Sequence, residues 1–85
     1  MNILQEAEKL VSGDRNDYYG NPSVKYGLIA KLWSLILHTK ITPEQVILCM
    51  IAIKLIRESI KHKRDNLVDL AGYAKLLAMV LDEDK

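Results

Sequence analysis

The chain has 85 residues, 49% hydrophobic and 27% charged, the balance of one small globular domain rather than a fibrous or disordered chain. Twelve Lys and Arg against eleven Asp and Glu leave a formal charge of +1, which argues against nucleic-acid binding through overall charge alone. The single cysteine, Cys49, cannot close an internal disulfide, so a reducing cytoplasm is the default. The longest apolar run, Val46 to Ile53, is eight residues, far short of the roughly 18 that a membrane span requires. Glu6 and Glu8 stand where a signal peptide needs basic residues and then an apolar stretch. These features predict a soluble, intracellular single domain over residues 1–85, with no membrane partner and a frayed tail at 82–85.

In chain order, the spacing predicts a first helix from Ile3 to Ser12, with Leu4, Ala7, Leu10 and Val11 on one stripe and Gly13 as its stop. Residues 14–22, DRNDYYGNP, are turn chemistry throughout. Ser23 reads as the N-cap of a second helix over 24–38, whose stripe is Ile29, Leu32, Trp33 and Ile36 and whose C-terminal cap is His38. Thr42, Pro43 and Gln45 spell a capping box ahead of a third helix that runs to Ile60. Its first half, VILCMIAI, is apolar on every side, as suits a central helix or one that meets another subunit. A fourth helix starts at Asp65 or Asn66 and ends near Leu81, with Leu67, Leu70, Ala71, Ala74, Leu77 and Leu81 as its core stripe. No segment alternates with period two long enough to be a strand, so the expected fold is an all-α bundle of about four helices. A chain this short buries only about 60–65% of its unfolded surface, and homo-oligomerisation is a common remedy at that size.

The polar pattern is concentrated. Lys54, Arg57 and Lys61 share one face of the third helix, and from Lys54 to Arg64 there are five basic residues and one acid, Glu58. Asp65, Asp69 and Tyr73 share one face of the fourth helix, and a short connection makes the two helices antiparallel neighbours, with Lys54 and Arg57 near Asp69 and Tyr73. Taken alone, this is an interhelical salt-bridge ladder. The sharper reading is a polar pocket in which Lys54 and Arg57 hold phosphate while Asp65, Asn66 and Asp69 meet hydroxyls or a metal. Arg15, Tyr18, Tyr19 and Gly20 lie together in the loop, where an aromatic ring can stack a base and a glycine lets backbone approach a ligand; the plainer reading is an apolar plug. Trp33 reads first as core. Cys49 inside an apolar helix reads as a buried, inert thiol, and His62 as solvated. His38, His62 and Cys49 lack the spacing of a metal site, and no Walker loop or G-x-G-x-x-G is present.

The ordered blocks DRNDYYGNP, IAKLWS, ITPEQV, KLIRE and DNLVDLAGYAKLL resemble a family of small all-helical phage proteins of unknown function, over about residues 15–77. More distantly, the YG loop, K-x-x-R and D-x-x-x-D-x-x-x-Y-A are similar to the phage nucleotide-modification-associated domain, and the last helix resembles MazG-like nucleotide pyrophosphohydrolases. The matched polar positions are Arg15, Tyr19, Gly20, Trp33, Lys54, Arg57, Asp65, Asn66, Asp69, Gly72 and Tyr73. What the resemblance implies is a nucleotide-related ligand and the cytoplasm of an infected bacterial host. MazG-like enzymes pair E-x-x-E with E-x-x-D around magnesium; here the third helix carries Lys54, Arg57 and Lys61 instead, and only Asp65 and Asp69 form a helical acid pair.

Three readings follow. The first is a homo-oligomeric binder of a nucleotide-like phosphorylated molecule, sequestering a host-defence signal, with no cofactor and no catalytic residue. In it Lys54, Arg57 and Arg15 take phosphate, and Tyr18, Tyr19, Gly20, Asp65, Asn66, Asp69, Tyr73 and Trp33 contact base or ribose. The second is a magnesium-dependent nucleotide hydrolase, or a nucleotide-modification accessory protein, using Asp65 and Asp69. The third is a nucleic-acid or protein-binding module built on Lys61, His62, Lys63 and Arg64, placed last because Asp65 and Asp69 adjoin that patch.

Overall fold

The computed structural model describes residues 1–12 and 21–83. Within them the chain forms four helices: α1 (Ile3–Ser12), α2 (Pro22–Leu37), α3 (Pro43–Ile60) and α4 (Arg64–Glu83). The described residues contain no strand, so the all-α expectation holds.

Each start has a local cause. Asn2 caps α1: its Oδ1 accepts from Gln5 N at 2.7 Å while Gln5 Oε1 accepts from Asn2 N at 2.9 Å. This reciprocal box is of the same kind as the one at α3, where Thr42 Oγ1 accepts from Gln45 N and Gln45 Oε1 accepts from Thr42 N. At α2 the cap is Asn21, whose Oδ1 accepts from Ser23 N at 2.7 Å, with Pro22 in the first turn. The expected cap, Ser23, therefore lies inside the helix, where its own N–H is one of the orphan donors and is satisfied by Asn21. His38 closes α2 in the left-handed conformation at φ 55°, and its N–H donates to Ser34 O. Ser34 Oγ also accepts from Ile41 N at 2.8 Å, which holds the approach to α3 against the end of α2. The last helix begins one residue earlier than expected, at Arg64, and continues to Glu83.

α4 is the hub, touching all three other helices, whereas α1 packs on α4 alone. On the α2 and α3 side, Tyr26, Ala30, Val46, Ile47 and Val80 form the buried core, flanked by Ile29, Trp33, Ile41, Ile51, Tyr73, Leu76 and Leu77. On the α1 side, Ala7 and Val11 are buried, and a methyl at Gly72 would meet Val11 Cγ2 at 3.6 Å, an ordinary contact. Polar ties hold α1 in place: the Arg64 guanidinium donates to Glu6 and to Met1 O, and Lys75 pairs with Glu8.

The expected stripes need correction. On α1 only Ala7 and Val11 of the four are buried; Leu4 and Leu10 are exposed. On α2 the buried residues are Pro22, Tyr26 and Ala30; Ile29 and Trp33 of the expected stripe are half-buried against the core, while Leu32 and Ile36 are exposed. On α4 the buried positions are Asn66, Val68, Gly72 and Val80; of the expected stripe Leu67, Leu70, Ala71 and Leu77 are half-buried, and Ala74 and Leu81 are exposed. A helix covered on two sides buries two partial stripes, and small residues go where helices approach most closely.

Candidate functional site

The site is built on the inner side of the second half of α3, where it runs antiparallel to the first half of α4. Lys54 Nζ lies 2.8 Å from Asp69 Oδ2, and the two side chains keep only 15% and 33% of their exposure. The expected juxtaposition of Lys54 with Asp69 is therefore present. It is a largely desolvated pair, in which the mutual attraction is set against the cost of taking both charges out of water.

One turn further along α3, Glu58 gathers the α3–α4 connection. Its carboxylate pairs with His62 Nδ1 and accepts from Lys63 N at 3.1 Å and from Asn66 Nδ2 at 3.1 Å. Those donors, His62 first, hold the Glu58 carboxyl below the usual carboxylate range. Asn66 is buried and engaged here, so its place in this structure is to fix the turn. His62 is exposed as expected but is paired, which the i, i+4 spacing from Glu58 accounts for.

Outside this clasp the cations are open. Arg57 and Lys61 are exposed, and among the described residues no ion pair includes either side chain. Arg64, by contrast, donates to Glu6 and to Met1 O, and His62 is paired with Glu58. Asp65 is exposed in the first turn of α4, one turn before Asp69. Among the described residues no three His, Cys, Asp or Glu side chains stand together in a way that would hold a metal ion.

The aromatic candidates divide. Tyr73 and Trp33 are half-buried and pack against the core cluster, Tyr73 on the same face of α4 as Asp69. Gly72 faces α1 rather than the Lys54–Asp69 side. Arg15, Tyr18, Tyr19 and Gly20 lie outside the described residues. Cys49 is exposed, not buried, because the apolar face that carries it points away from α4. Sequence reasoning missed Glu58 as the organiser of the turn, although its spacing to His62 was visible. It also missed the ties from Glu6 and Glu8 to α4; partners 58 residues apart leave no periodic trace.

Residues 2–81 match the family described as domain of unknown function DUF6378. The Gene 55 protein of Mycobacterium phage D29 is 37% identical over 82 residues, covering 95% of this chain and 54% of that protein. The Gene 55 protein of Mycobacterium phage L5 is 39% identical over 89 residues, covering 100% of this chain and 56% of that protein. The chain thus spans about half the length of these curated relatives. No solved structure matches it significantly. No helix among the described residues is long and apolar enough to cross a membrane.

Proposed function

The chain belongs to the DUF6378 family, and from that premise and the α3–α4 geometry we propose that it binds a nucleotide-like, phosphate-bearing small molecule and returns it unchanged. The observation that carries the reading is Arg57. Its guanidinium is exposed and without an ion pair among the described residues, one turn from a Lys54 held by Asp69. A planar fork left free beside a fixed second cation suits bidentate capture of a phosphate. Lys61 adds charge at the end of the helix, and exposed Asp65 offers an acceptor to a ribose hydroxyl. Arg15, Tyr18, Tyr19 and Gly20 keep their proposed parts as second clamp and base platform, whereas Trp33 and Tyr73 supply apolar wall. In the cytoplasm of an infected bacterium, affinity without turnover suffices to withdraw a nucleotide signal of host defence.

The test is a thermal-shift series against nucleoside triphosphates, cyclic dinucleotides and ADP-ribose derivatives, with and without magnesium. A ligand present at 100 times its Kd stabilises the fold by about 2.7 kcal/mol. The reading expects a metal-independent hit, recovery of intact ligand, and loss of the shift in Arg57→Ala with Lys61→Ala. A hit that survives both substitutions, or silence across the panel, contradicts it. A magnesium-dependent hit recovered as cleaved product contradicts it in favour of a hydrolase using Asp65 and Asp69.

A further inference from the structure

The second half of α3 is built inside out. Its inner side carries Lys54 and Glu58 against α4, while Leu48, Cys49, Ala52, Ile53, Leu55, Ile56 and Ile60 lie exposed on the side away from α4. Ile56 keeps 61% of its exposure and Ile60 80%. The neighbouring α2 does the same with Leu28, Leu32, Leu35 and Ile36, at spacings of three and four on its outer side. Among the described residues fifteen large apolar side chains are exposed against eight buried hydrophobic residues, and α2 and α3 carry most of the exposed set. Single exposed leucines need no explanation, but two packed helices presenting continuous apolar stripes do.

The total area is on the scale that a second copy would cover. The accessible surface is 6054 Å² for a chain of 9.7 kDa. A folded monomer of that mass exposes roughly 5,100 Å², and the excess of roughly 900 Å² is close to the roughly 800 Å² that each partner contributes to a standard interface. The radius of gyration, 13.4 Å, likewise exceeds the roughly 12 Å of an 85-residue globule. The face is apolar at its centre, has small Ala52 midway along it, and is edged by Arg57 and Lys61. That is the layout of an apolar interface core with a polar rim.

We propose that this α2–α3 outer face is a self-association surface, on which a second copy of the chain packs with the same face about a two-fold axis. Antiparallel α3 helices crossing at Ala52 and Ile53 set Leu48 of one copy against Ile56 of the other, and Ile60 against the start of its partner helix. An isologous contact of this kind closes at two copies. It places Arg57 of each copy at the rim, yet it stands on the apolar face alone, so it survives or fails independently of the ligand reading.

Sedimentation equilibrium of the whole chain across the micromolar range tests it. The expected mass is about 19 kDa, falling to the 9.7 kDa of one chain on dilution. Ile56→Asp puts a charge at the centre of the contact and on the surface of the free chain. It is expected to weaken self-association on the order of 100-fold while leaving helicity unchanged by circular dichroism. Leu35→Asp on α2 does the same should Ile56→Asp fail to fold. A mass of one chain at every concentration overturns the proposal, including the case in which that monomer binds lipid vesicles instead. So does a dimer that persists in both folded variants.

Discussion

The two sides of α3 obey opposite rules. On the inner side the packing changes along the helix: Val46 and Ile47 are sealed in the core, and two turns later Lys54 and Glu58 face α4 through an ion pair and a hydrogen-bonded clasp. On the outer side the residues stay mostly apolar to the end, with Ile53, Ile56 and Ile60 all exposed and Ser59 the polar exception. In an isolated surface helix the charges would face water and the isoleucines the core. The difference teaches that the inner polar residues fix the α3–α4 turn, whereas the outer apolar ones have no partner among the described residues.

The sharpest way to break the comparison is to truncate one isoleucine on each side. Ile47 is fully buried, so Ile47→Ala is expected to cost about 3 kcal/mol, a large share of the total for a domain this small. Ile56→Ala, measured by urea denaturation at concentrations where the chain is monomeric, should change stability by no more than about 0.5 kcal/mol. Equal losses at the two positions would show that the outer face is already packed within one chain.

A smaller effect sharpens the polar side. Because the Glu58 carboxyl is held below its ordinary range, the ionised form favours the folded state. Its contribution is present above the unfolded carboxyl value and is lost as pH falls through the folded one. Glu8, lowered by Lys75 and by Ser12, adds to the same acid limb. Glu58→Gln should therefore lower stability at neutral pH and flatten the loss of stability below about pH 5. An unaltered acid limb in thermal melts would remove the clasp from the account.

What was legible in the sequence was what is local. The Thr42–Pro43–Gln45 box and the Lys54–Asp69 juxtaposition follow from short-range spacing and a short turn, and the structure contains both. The stripes were harder, because α2 is apolar nearly all round: periodicity cannot say whether Ile36 or Tyr26 faces inward when both are available. Small Ala30 decides it by letting α2 approach the core closely. Cys49 was misread for the same reason, as an apolar neighbourhood implies burial only when its face has a partner. The Glu6–Arg64 and Glu8–Lys75 ties depend on α1 returning to α4, which no local pattern encodes.

Cys49 now offers the most direct measurement. Its thiol lies exposed on the outer face of α3, between Leu48 and Ile53. If a second copy covers that face, thiol labelling of the native chain slows as protein concentration rises through the micromolar range, and Ile56→Asp restores the fast rate. A labelling rate that is the same at every concentration would contradict the two-sided account of α3.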